Sequence, residues 1–255
     1  MNPIQKIFAI LETVVSNQEN GLTFAATVAG TGLPKASVHR ILKGITDLGY
    51  LNFNSETKRY RGALKLAALG AEVVSNFDLR KLVHPQLMRL QRETSHTSNM
   101  AIKNGAAGIY VDKIESQDYG LKLISEIGKS FPLYCTALGK VLLAYSPASE
   151  ADPILKKKLK HYTENTITDP QELKKELKQI KKQGYAIDRE EVTRGIMCVA
   201  APIFGIGGKL VCSISVAFPS YINSDRGIEL EIDAVMRHAA AISGSFMQRY
   251  CQTEK

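Results

Sequence analysis

The stretch from Gly32 to Leu51 constrains the chain more than any other, because it reads as one amphipathic helix with defined ends. Val38, Ile41, Leu42, Ile45 and Leu48 recur at three- and four-residue steps, which gives a single apolar face that packs inward. Lys35, Ala36, Ser37, His39, Arg40 and Lys43 are left on the outer face, where cations and small polar groups can meet phosphates and base edges. Pro34 suits the first turn, whose amides lack helical acceptors, and Gly49 suits a left-handed stop. A solvated surface helix has the same pattern, so the neighbouring segments decide.

Upstream, Ile4, Ile7, Phe8, Ile10, Leu11, Val14 and Val15 form a first helix, and Thr23 caps a short second one over Phe24–Ala29. Gly30-Thr31-Gly32 is the tight turn before the basic helix. This order is a helix-turn-helix, whose last helix enters the major groove. Downstream, Tyr50–Phe53 and Arg59–Arg61 flank the polar tip Asn54–Lys58 and read as the wing of a winged helix, with Lys58, Arg59 and Arg61 facing phosphate or the minor groove. Gly62–Val74 is too apolar for a free linker and reads as a linker helix, packed on the head or on a second subunit.

From Asp78 the pattern becomes mixed. A helix over Leu79–Thr94 precedes strands at Thr97–Ile102, Ala107–Ile114 and Leu121–Ile124, and a loop over Gly128–Cys135 enters a helix from Ala137 to Tyr145. A lysine-rich helical region follows, its second helix opened by Asp169-Pro170 and closed by Gly184. Strands return at Tyr185–Asp188, Cys198–Phe204 and Lys209–Phe218, and Ser224 is expected to cap a last helix over Glu229–Tyr250. The domains expected are 1–62 for the winged head, 63–78 for the linker helix and 79–255 for the remainder.

The formal charge of +8 admits an anionic partner, but placement matters more than total. The first 62 residues carry seven Lys or Arg against four acids, while Lys156–Lys158, Lys160 and the lysines of 174–182 read as solvated helix faces. No apolar run reaches eighteen residues, so no membrane span is expected, and we expect a cytoplasmic protein with reduced thiols. Cys135, Cys198, Cys212 and Cys251 show no C-x-x-C spacing and the five histidines are scattered, so neither metal nor cofactor is expected.

Taken together, these segments resemble the IclR family of bacterial transcriptional regulators over roughly residues 4–250. The resemblance is carried by Thr31–Leu42 in the head, then by Pro132-Leu133-Tyr134-Cys135-Thr136-Ala137-Leu138-Gly139-Lys140, Gly184–Glu191 and Gly195–Ile203 in the expected order. It implies an α+β chain with an N-terminal winged helix-turn-helix, a linker helix and a C-terminal GAF-like α/β effector-binding domain with an antiparallel sheet. It also implies a homodimer or dimer of dimers on double-stranded operator DNA, controlled by a small organic or aromatic acid.

The start of the helix at Thr136, Ala137, Leu138 and Gly139 offers free amides and the positive end of a dipole, suited to a carboxylate. The resemblance places Asp188, Cys198 and Ser215 in the same effector pocket, and strand alternation puts Ser213 on the side of Ser215. Many family members carry a second serine and then Gly-Pro where this chain has Ala217-Phe218-Pro219. That change is expected to set an aromatic ring at the cavity rim and to favour an effector with some apolar body.

Two other classes compete. A phosphate loop at Gly139-Lys140 fails because Tyr134 and Val141 stand where glycine and Ser/Thr are needed, and Glu190-Glu191 is too local to make a carboxylate pair, so no enzyme is expected. An architectural DNA-binding protein needs no second domain with a buried polar cluster. Whether the chain represses or activates is left open.

Overall fold

The computed structural model describes residues 1–75, 78–117, 125–223 and 227–253. The expected strand at Leu121–Ile124 and the expected cap Ser224 lie outside the described residues. The chain divides into two units, Met1–Asn76 and Phe77–Lys255.

The first unit runs α1 (Pro3–Val15), β1 (Leu22–Thr23), α2 (Phe24–Thr31), α3 (Lys35–Asp47), β2 (Leu51–Asn54), β3 (Arg59–Gly62) and α4 (Leu64–Ser75). Asn2 and Gln5 cap α1 reciprocally, Asn2 Oδ1 accepting from the Gln5 amide at 2.8 Å and Gln5 Oε1 from the Asn2 amide at 2.9 Å. Thr23 caps α2 as expected, and its backbone also pairs with Arg59, so a third strand that alternation alone did not signal joins the hairpin. Ile10, Val14, Leu33, Val38, Leu42, Ile45 and Leu51 form one buried core. Helix α3 is shorter than the stretch Gly32–Leu51. Leu48, one residue beyond it and at the edge of its apolar stripe, is 64% exposed rather than buried.

The second unit holds α5 (Asp78–Thr94), β4 (Thr97–Asn104), β5 (Ala107–Ile114), β6 (Ser130–Pro132), α6 (Ala137–Ala144), α7 (Ala148–Leu155), α8 (Pro170–Gln183), β7 (Ala186–Arg189), β8 (Ile196–Phe204), β9 (Leu210–Pro219) and α9 (Glu229–Thr253). The strands form one antiparallel sheet in the order β6-β5-β4-β9-β8-β7. Asp169 accepts from the amides of Gln171 and Glu172, both at 2.8 Å, and Gly184 closes α8 at φ +84°.

The two faces of this sheet differ in side-chain size. Bulky Met100, Val199, Ile203, Ile214 and Val216 pack against Val83, Leu87 and Leu90 of α5 and against Val235 and Ile242 of α9. Toward α6, α7 and α8 the strands present Ala101, Ala186 and Ala200 instead, with the larger Tyr110 and Phe131 toward the β5–β6 edge. β9 alternates Ser213, Ile214, Ser215, Val216, Ala217 and Phe218, small toward α6 and large toward the other face. Small residues on one face leave space beneath α6, and the cavity described below lies there.

Candidate functional site

In the first unit Lys35, Ala36, His39, Arg40 and Lys43 of α3 are exposed, while Ser37 is half-buried on the flank. The His39 ring lies edge-on to Phe24 with centroids 6.1 Å apart, so one side of it is committed to packing. Among the described residues Lys35, Arg40, Lys43 and Lys58 have no acidic partner, and the face carries unneutralised positive charge. Lys58 sits at the hairpin tip, where Asn54 Oδ1 accepts from the amides of Glu56 and Thr57. Arg59 and Arg61 are placed differently. Arg59 donates to the Gly21 carbonyl at 2.9 Å and Arg61 to the Glu19 carbonyl at 3.0 Å, which ties the wing to the loop between α1 and α2. That loop needs a glycine: Gly21 has φ +65°, and a Cβ there would lie 2.9 Å from Arg61 Cγ.

The second unit contains a cavity of about 640 Å³ between the small-residue face of the sheet and the start of α6. Thr136, Ala137, Leu138, Asp188, Cys198 and Ser215 line it. Thr136 caps α6, its hydroxyl oxygen accepting from the Gly139 amide at 3.0 Å, which leaves the Ala137 and Leu138 amides as first-turn donors without helical acceptors. Gly139 and Ser213 are not among the lining residues. Gly139 is required by packing, since a Cβ would stand 2.6 Å from Leu133 Cα, and the buried Ser213 hydroxyl is spent on the Leu138 carbonyl at 3.3 Å.

Asp188 opposes Cys198 across the strand pair, and its Oδ1 accepts from the Glu191 amide at 2.7 Å. Burial pushes its carboxyl up to about 7; the Glu191 amide pulls the other way, and the Glu191 charge adds to the rise while Lys140 opposes it. Burial also drives the Cys198 thiol well above its ordinary range and the Cys135 thiol up to about 12, so both stay protonated and unreactive at neutral pH.

Near Asp188 lies a buried charge network that no local sequence pattern announces. Lys140 is fully buried, and its Nζ meets Glu191 Oε1 at 2.6 Å and Glu176 Oε1 at 3.0 Å. Thr163 and Thr166 donate to the carbonyls of Glu190 and Glu191, both at 2.6 Å, fixing the loop after β7. Glu191 is therefore not an idle local acid; its partner lies 51 positions away, beyond the reach of any local pattern.

Phe218 corrects a second expectation. It is fully buried on the opposite face, stacked on His96 with centroids 4.7 Å apart, and contributes nothing to the cavity rim. The aromatic lining is Tyr110 and Phe131, whose ring centroids lie 4.4 Å apart, together with Tyr162 and Tyr221. Asn99 and Ser125 also line the cavity, and neither was singled out from the sequence. A polar residue at an inward position of a central strand is the signal that would have found Asn99, once β4 is known to be central. Among the described residues no group of His, Cys, Asp and Glu is arranged to hold a metal ion, and no helix is long and apolar enough to cross a membrane.

Comparison with known proteins matches both units. Residues 3–55 match the IclR helix-turn-helix domain, and residues 71–244 match the family described as bacterial transcriptional regulator IclR C-terminal. The HTH-type transcriptional regulator KdgR of Escherichia coli K12 is 34% identical over 242 residues, covering 94% of this chain and 90% of that protein. The crystal structure of the Thermotoga maritima IclR superposes with a TM-score of 0.69 at 32% identity, over 95% of this chain and 98% of that one. An IclR homologue from Microbacterium hydrocarbonoxydans, crystallised with 4-hydroxybenzoate, has the same fold at 17% identity, with a TM-score of 0.78 over 97% of this chain and 100% of that one.

Proposed function

Since the chain belongs to the IclR family of bacterial transcriptional regulators, we propose that it reads operator DNA in the cytoplasm through α3 and the hairpin tip and releases or tightens that grip when an acid fills the cavity under α6. The observation that carries the DNA half is the exposed row of Lys35, Ala36, His39, Arg40 and Lys43 on a helix whose other face is core, with Ser37 on its flank. Lys58 contacts phosphate from the tip, and Arg59 and Arg61 chiefly hold the wing in place. The residues to 62 form the reading head and the linker helix follows it.

The effector half rests on the free first-turn amides at Ala137 and Leu138, facing a cavity that also holds Asp188, Cys198 and Ser215. A carboxylate seated there accepts from both amides at the positive end of the helix. The thiols are protonated and Lys140 is sealed in a salt bridge, which favours a binding site over a catalytic one.

Self-association is supported by apolar side chains on the outside of the first unit. Ile4, Phe8 and Val15 of α1 are exposed beside its core stripe, and Leu64 and Leu69 of α4 are 86% and 51% exposed. A second copy covers such a stripe and sets two reading heads at the spacing of two half-sites.

A titration of the full chain on DNA from upstream of its own gene tests the reading. Arg40→Ala should weaken binding about tenfold or more and reduce the slope of log affinity against log salt by about one. An unchanged affinity at fixed salt would remove α3 from the DNA interface.

A further inference from the structure

Two polar atoms in the wall of the cavity are left without a partner. Asn99 is 3% exposed and Ser125 7% exposed, and neither Asn99 Oδ1 nor Ser125 Oγ makes a hydrogen bond. Both residues line the cavity. Leaving a buried acceptor unpaired is costly, and a folded chain tolerates it where a ligand supplies the missing donor. Asn99 stands directly opposite Ser215 in the β4–β9 pair, so the carboxamide and the hydroxyl form a polar strip on the sheet floor. This strip lies beside the rings of Tyr110 and Phe131 on the sheet side of the cavity.

We propose that Asn99 is a specificity-determining residue that selects acids bearing a hydroxyl on their carbon body over the same acids without one. The inference rests on the effector reading above: with the carboxylate at the Ala137 and Leu138 amides, the body of the acid lies along the floor toward Asn99 and Ser215. A hydroxyl both donates and accepts, so it satisfies the Asn99 carboxamide in either orientation and reaches the Ser215 hydroxyl as well. A methylene or an aromatic C–H in its place desolvates Asn99 and returns nothing, and sites built to bond a hydroxyl reject the deoxy analogue strongly.

The test is a calorimetric titration of the full chain with matched pairs of acids, benzoate with 4-hydroxybenzoate and hexanoate with 6-hydroxyhexanoate, alongside melting curves. In the wild type the hydroxylated member of at least one pair should bind about tenfold tighter than its partner, the equivalent of one well-made buried hydrogen bond. Asn99→Leu should bring that ratio to within about twofold while keeping the affinity for the deoxy acid, and Asn99→Ala serves if the leucine variant does not fold. Ser213→Ala should keep the wild-type ratio, because its hydroxyl is already spent on Leu138. Without ligand, Asn99→Leu should melt no lower than the wild type, since it removes an unpaired acceptor. Equal binding within both pairs, or a preference that survives in Asn99→Leu, overturns the inference and leaves the effector reading standing. A lower melting temperature with an unaltered preference makes Asn99 a structural residue and also overturns it. If none of the four acids binds, the effector reading fails for these acids, and the inference falls with it.

Discussion

At the scale of single residues the cavity is governed by which groups are charged. Asp188 is pushed up to about 7 by burial, so near neutral pH a large share of its carboxyl is protonated and can donate to a ligand oxygen. Above that pH it is an anion in the same cavity as the proposed seat of the effector's carboxylate. Because the folded value is raised, the stability this group contributes is complete below the ordinary carboxylate range and is lost as pH climbs through 7. A bound carboxylate raises the value further by like-charge repulsion, so binding takes up a proton. The affinity for an acid effector should therefore fall toward tenfold per unit above pH 7, and Asp188→Asn should flatten the profile. A wild-type calorimetric profile that is level from pH 6 to pH 8.5 would show that Asp188 does not face the bound carboxylate. Lys140 and Glu191 hold the loop that sets the Asp188 geometry, a role that neither Gly139-Lys140 nor Glu190-Glu191 displays as a local pattern.

At the scale of elements, helix ends were the most legible feature. Thr23, Asp169 and Gly184 do what their residue types predict, because capping is a contact between a side chain or amide and a backbone group two to four positions away. α3 keeps one local weakness, Gly44, in the helix interior on the exposed side, where an added Cβ would meet nothing within 4 Å. Gly44→Ala should stabilise α3 by about 1 kcal/mol through reduced backbone entropy in the unfolded chain. Slower hydrogen exchange of the α3 amides is the readout, and unchanged protection would mean that α3 opens only with the whole unit. The sheet was less legible. Alternation in Ser213–Phe218 put Ser213 and Ser215 on one side, which is what the structure shows, yet it also places Phe218 opposite, a consequence the cavity-rim expectation overlooked.

At the scale of the molecule the two units share one chain but differ in how their apolar surface is disposed. The second unit buries apolar side chains on both faces of its sheet, against α6–α8 on one side and α5 and α9 on the other. The first unit leaves Phe8 at 55% and Leu64 at 86% exposure. Phe8→Glu combined with Leu64→Glu should shift the protein toward the monomer mass in light scattering without unfolding it, since neither side chain belongs to the described core. A mass unchanged by the pair would overturn the proposal that a second copy docks on this stripe.

The amino-acid sequence alone determined the order of the longer helices and strands, the winged head with its basic outer face, and the start of α6, all set by periodicity and capping within a few residues, while the short strands β1 and β6 were not legible in it. The tertiary structure decided what shares the cavity. The strand order β4-β9-β8 sets Asn99 beside Ser215 and Ser215 beside Ala200, although more than a hundred positions separate Asn99 from either. Lys140 is likewise matched to Glu191 only once α6 packs on the sheet. Local periodicity fixes the face on which a side chain lies; which faces meet, and so which polar atoms are left for a ligand, follows from the pairing of distant strands.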